Sequence, residues 1–266
     1  MGSADYDQRM ERWDRTMLDH SERVAAARSA IDYICGRSDV EQAAPVPNCP
    51  GWTVYNAASH IGRVSIAWEE MMTSAPEDPE SRVRGYERAS LKPTGTSTAE
   101  LATWSHAAID QLTDDLDRRC YFSMAGGEGN PRLWAWHAAS ELGMHRLDVE
   151  AALGHEHSMT PSQALDAAHY TCQFFLQAMR RVLERDPGGL TARLVGSGGE
   201  PGSVTIEPLP ESESPASVVI EGPPIQVLLG LWGRPHSGVE VTDGDPAVWQ
   251  QWRAMPSEAF QFGTWD

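Results

Sequence analysis

The stretch WAWHAASELGMHRLDVEAA, residues 134–152, decides how the rest of the chain is read. It has the length and pattern of one long helix, with Trp134, Ala138, Glu141, His145, Val149 and Ala152 recurring every three or four residues on its inward face. Two of these six are polar. Glu141 and His145 stand four residues apart, so their side chains project from one face and can converge on one atom. A carboxylate and an imidazole on an apolar face are costly unless paired or bound to a metal, and the stretch therefore asks for a third group from elsewhere. The plainer alternative is an ordinary ion pair on a helix surface.

Working outward, the preceding GGEGNP connection leads into this helix, and Pro131 suits its first turn. Upstream, Asp7 to Arg37 reads as an amphipathic helix carrying Trp13, Met17, Val24, Ala27, Ile31 and Ile34. The loop EQAAPVPNCPGW follows, with three prolines, and Thr53 is placed to cap the next helix. That helix, Val54 to about Met72, sets Ala57, Ile61, Val64, Trp68 and Met71 on one side, with His60 at the stripe's edge. The polar stretch SAPEDPESRVRGYERASLKPTGTST reads as a long loop. A third helix is expected over about Ala99 to Arg119. Four helices of this kind imply a four-helix bundle, an architecture that builds metal sites from facing core side chains.

The pattern changes after Gly154. A helix over about Pro161 to Arg185 stops at Asp186-Pro187-Gly188-Gly189. Strands are then expected at LTARLVG, GSVTIEP, ASVVIEG and GVEVTD, with helices at IQVLLGLWGR and PAVWQQWRAM. The terminal EAFQFGTWD is an apolar-aromatic tail. The expected fold is thus α+β, with a bundle over 1–158 and a smaller α+β domain over 159–266.

Composition narrows the function. The chain has 266 residues, 38 acidic against 21 basic, and a net charge of −17. That balance opposes non-specific binding to nucleic acid or to an anionic membrane. No apolar run approaches a membrane span, and no signal-peptide pattern opens the chain, so a cytoplasmic protein is expected. Cys35, Cys49, Cys120 and Cys172 show no CxxC spacing, which argues against a disulfide framework. Nucleotide-binding glycine loops, GxSxG and HExxH are absent.

His60 joined to Glu141 and His145 gives two imidazoles and a carboxylate with a coordination position left open, a catalytic donor set for zinc or a similar divalent ion. His137, one turn before Glu141, is a further candidate ligand or neighbour, against a plain structural role. Arg146 and Asp148 could orient His145 or bind an anionic substrate. His155 and His157 read as solvated. Cys49 is set aside as a nucleophile, because no base is specifically placed for it.

CPGWTVYNAASHIG, then ELGMHRLDVEAALG, VLLGLWGRP and VEVTDGDPAVWQQW, together resemble the mycothiol-dependent maleylpyruvate isomerase family. The resemblance implies a DinB-like metal-binding N-terminal bundle with His60, Glu141 and His145 as metal ligands. It also implies mycothiol as thiol cosubstrate, and a catalytic arginine in the C-terminal domain, for which Arg234 is the candidate. Ser140, where relatives often carry histidine, and Tyr55 depart from the family pattern. The expected function is an enzyme in which a metal-bound thiolate attacks a small electrophile, as an S-transferase or a cis-trans isomerase. A metal hydrolase and a non-catalytic binding or regulatory protein are the alternatives.

Overall fold

The computed structural model describes residues 18–195, 202–207 and 216–259. Its helices and two sheets make it α+β, as expected. The first described helix, α1 (His20–Cys35), is capped by Asp19, whose carboxylate accepts from the Glu22 N–H while the Glu22 side chain accepts from the Asp19 N–H. The part expected before residue 18, with Trp13 and Met17, lies outside the described residues. A single turn, α2 (Asp39–Gln42), precedes the proline-rich loop, and Thr53 caps α3 (Val54–Met72) with the same reciprocal pattern to Asn56.

Two expectations fail between residues 74 and 119. The polar stretch read as loop contains α4 (Glu80–Ser90), which buries Ser81, Gly85 and Ala89. These small residues, four apart, form a contact face that hydrophobic periodicity does not reveal. A Cβ on Gly85 would lie 2.8 Å from the Ala67 backbone, so α4 and α3 approach backbone to backbone. The third helix, α5 (Thr98–Asp110), stops nine residues short of the expected Arg119. The remainder turns into a small hairpin, β1 (Cys120–Phe122) against β2 (Gly127–Gly129). Gly129 is needed there because a Cβ would meet the Phe122 side chain at 2.4 Å.

The decisive stretch lies within α6 (Pro131–Leu153), capped by the Asn130 side chain and closed by Gly154 in the left-handed conformation. It packs along α1, while α3 packs along α5; contacts of α1 with α5 and of α3 with α6 join the two pairs. Trp134 and Trp136 are fully buried in the core so formed. Their indole N–H groups donate to the carbonyls of Tyr121 and Asp166 at 3.0 and 2.9 Å.

Beyond the connection, α7 (Pro161–Tyr170) continues through a π-helical turn at Thr171–Phe175 into α8 (Leu176–Leu183). The strands are β3 (Gly189–Leu194), β4 (Gly202–Ile206), β5 (Ser217–Gly222) and β6 (Glu240–Gly244), in the spatial order β4-β3-β5-β6. β3 and β5 run parallel and the other pairs antiparallel. α9 (Pro224–Leu231) and α10 (Pro246–Ala259) complete the layer, and the tail from residue 260 lies outside the described residues. Within this region, Trp232 at the end of α9 donates its indole N–H to Thr171 Oγ1 at 2.9 Å and stacks on Phe175 at 4.1 Å between ring centroids, tying α9 to the π-helical turn.

Candidate metal centre

The loop ahead of α3 is fixed by its own backbone. Val46 N donates to the Trp52 carbonyl and Trp52 N to the Cys49 carbonyl, both at 2.9 Å, with Gly51 at a φ of 86° where a side chain would be strained. This clamp holds Trp52, 3% exposed, over the end of the core. Its indole stacks on the His145 imidazole at 5.8 Å and tilts against His60 at 5.0 Å.

Helix α3 brings His60 to α6, where Glu141 and His145 sit one turn apart. Glu141 Oε1 is 3.6 Å from His60 Nε2 and 3.4 Å from His145 Nε2. The three donor atoms form one compact group. These separations are longer than good hydrogen bonds. They match the edge of a tetrahedron of ligands bonded at zinc distances, which is about 3.3 Å. His60 Nε2 is buried with no hydrogen-bond partner, as suits a nitrogen aimed at a metal ion. The donor set and this orphaned nitrogen together fit a divalent cation. The side chains of His60 and Glu141 keep 18% and 16% of their surface, whereas His145 keeps 3%, so access is from the His60–Glu141 side.

The electrostatics of the three are unequal. Burial pulls the His60 pKa down, and the neighbouring Glu141 offsets this only in part. Burial also opposes charge on Glu141 and His145, but contacts outweigh it. His145 and His60 hold the Glu141 carboxyl well below the usual range. Asp148, Cys49 and Glu141 raise His145 well above an ordinary imidazole.

Behind His145 lies a second layer. Its Nδ1 faces Asp148 Oδ2 at 3.5 Å. Asp148 is fully buried and accepts from Asn48 Nδ2 at 3.0 Å, from Arg234 Nε at 3.1 Å and from Arg234 Nη2 at 2.9 Å. Cys49 Sγ is 3.5 Å from Asp148 Oδ2 and 3.4 Å from Arg234 Nη2. Arg234, 86 residues further along the chain, thus stands on Asp148, which in turn adjoins His145. The layer sets a buried carboxylate behind the Nδ1 side of His145, at a separation longer than a good hydrogen bond.

The remaining candidates separate cleanly. His137 Nδ1 is 2.6 Å from Tyr170 Oη in a cage with Trp68, Phe122 and Trp134, and burial lowers its pKa to about 4, so it is a neutral core residue. Arg146 points to the opposite side of α6, bonding Glu150 and Ser29. His155 and His157 are exposed, as expected. The absence of a base beside Cys49 is corrected, since His145 and Asp148 both adjoin it; its complete burial is what keeps it from acting on a substrate. Trp52 and Asn48 were not anticipated, although both stand in the EQAAPVPNCPGW loop that the sequence marks as the entrance to α3. A cavity of about 260 Å³ lies away from the centre, between α6, α1 and α7, bordered by Ser29, Ser140, Arg146 and Gln163.

Residues 24–150 match the family described as the mycothiol maleylpyruvate isomerase N-terminal domain. Two solved structures are similar over most of the chain: the mycothiol-dependent maleylpyruvate isomerase and a histidine-to-alanine mutant of it. Each is 16% identical, covers 86% of this chain and 95% of its own, and superposes with a TM-score of 0.56. At that identity they show a shared fold. No curated protein sequence matches significantly. Residues 24–150 thus match the mycothiol maleylpyruvate isomerase N-terminal domain family, and the rest of the chain is matched in fold alone.

Proposed function

We propose that this protein is a mycothiol-using metalloenzyme whose divalent ion, zinc by donor type, is held by His60, Glu141 and His145. The observation that carries the reading is the convergence of those three donors at 3.4 and 3.6 Å around the Glu141 oxygen, with the site reachable from one side. The four long helices α1, α3, α5 and α6 are read as a DinB-like bundle within residues 1–158, and residues 159–266 as the family's C-terminal domain. An ion bound there supplies the positive charge that deprotonates a thiol near neutral pH.

The chain's own residues then have defined tasks. Trp52 covers one side of both imidazoles and excludes water from it. Asp148, itself held by Arg234 and Asn48, keeps the His145 ring turned with Nε2 toward Glu141. The thiolate of mycothiol attacks an electrophilic carbon of the second substrate. If that carbon carries a leaving group, the sulfur is retained and the reaction is an S-transfer. If it belongs to a conjugated double bond, addition makes that bond single, rotation follows, and expulsion of the thiolate gives the isomerised product with the thiol regenerated. Arg234 is buried on Asp148, so we assign it to positioning His145. The hydrolytic alternative loses its candidate base, because His137 is bonded into the core.

The test is turnover by zinc-replete protein of unsaturated acids and of compounds with activated leaving groups, with and without mycothiol. Thiol-dependent turnover is expected, and an equal rate without the thiol would overturn the reading. His60→Ala with His145→Ala should abolish stoichiometric metal; retention of the ion by that variant would equally overturn it.

A further inference from the structure

His145 presents a nitrogen to each of two ligand groups. Nε2 faces His60 and Glu141, whereas Nδ1 faces Cys49 and Asp148, and the donor atoms of this second trio also lie within 4.8 Å of one another. All three residues are buried. A thiol, an imidazole nitrogen and a carboxylate form a donor set suited to a thiophilic divalent ion. In this fold a cation already stands there. The guanidinium of Arg234 bonds both oxygens of Asp148, at 3.1 and 2.9 Å, and touches Cys49 Sγ at 3.4 Å.

We propose that Cys49, His145 and Asp148 constitute a second metal site that the Arg234 guanidinium fills and thereby closes. A side chain from the C-terminal region acts as a built-in substitute for an ion, and confines His145 to coordination through Nε2. This goes beyond the thiol-using reaction and concerns how many ions the centre accepts. A fixed organic cation meets the charge of Asp148 without drawing the Cys49 thiol into coordination. If an ion took the guanidinium's place, bonds would form from the metal to the Cys49 sulfur and to His145 Nδ1, the thiol proton and the Nδ1 proton would both be released to solvent, and His145 would bridge the two ions as an imidazolate.

Cobalt(II) titration of the full chain tests the inference, because a cobalt–thiolate bond gives a charge-transfer band that nitrogen and oxygen ligands do not. The wild type should bind one cobalt without that band, even with excess metal. Arg234→Gln removes the cation while leaving an amide to donate to Asp148, and should bind two cobalt ions with the band present. Arg234→Met should do the same, so that either variant alone suffices if the other does not fold. Cys49→Ser in the Arg234→Gln background should remove the band. The proposal is overturned if the folded arginine variants bind a single cobalt without the band, or if wild type shows the band. Failure of the first site reads differently, as wild type that binds no cobalt at all.

Discussion

His137 and His169 are buried imidazoles whose pKa values desolvation lowers from 6.5 to about 4. The unfolded chain therefore binds more protons than the folded one between those limits. Stability contributed by their neutrality is complete above about pH 6.5 and is lost as the pH falls toward 4. Each shift corresponds to at most ~3 kcal/mol. Urea unfolding at pH 7 and pH 4.5 should show this loss, and His137→Gln should flatten the dependence; an unchanged slope would contradict the assignment. At this scale the sequence was readable where partners are local. Glu141 and His145 announce themselves because helical geometry alone places them together. Asp148 is legible in the same way as a neighbour of His145, but its bond to Arg234 is not, because 86 residues separate the two and only tertiary packing joins them. His137 has the same helical relation to Glu141 as His145 has, yet it turns into the aromatic core, a choice made by Tyr170 and Trp68 rather than by spacing.

Among elements, α4 shows best what pattern reading misses. Its inward face is Ser81, Gly85 and Ala89, and its outward arginines pair with the end of α3: Arg84 with Glu70, and Arg88 with both Glu69 and Glu70. Such a helix looks like polar loop because close approach has replaced large apolar side chains. Gly85→Ala should consequently cost about 1–3 kcal/mol by forcing α4 off Ala67. A thermal melt measures this, and an unshifted melting temperature would mean that the contact is slack. Thr53 illustrates the opposite case, since its cap was evident from sequence. Thr53→Ala should lose about 1 kcal/mol in denaturant unfolding, through the helix that carries His60. α5 ends early because residues after Asp110 turn toward the β1 strand, a pairing with no local signature.

For the molecule as a whole, the alternation of helices followed by mixed strands was legible, whereas the bonds that hold the two regions together were not. Arg23 of α1 and Asp166 of α7 form a buried pair, with Arg23 Nη2 at 2.7 Å from Asp166 Oδ1 and side-chain exposures of 8% and 2%. Removing one partner strands the other charge, so Arg23→Met should destabilise by about 3–5 kcal/mol. Arg23→Met with Asp166→Leu should cost less than the sum of the single changes, which a double-mutant cycle reads directly. Strict additivity would show that the two charges are independently solvated.

The ion pair between Asp148 and Arg234 also sets an order of events during synthesis. A chain growing from its N-terminus completes α6, with its ligands, well before residue 234 is made. Until then Asp148 has no guanidinium, and sealing it into the interior carries the penalty of a stranded charge. Maturation of the centre therefore waits for the synthesis and docking of the segment that carries Arg234.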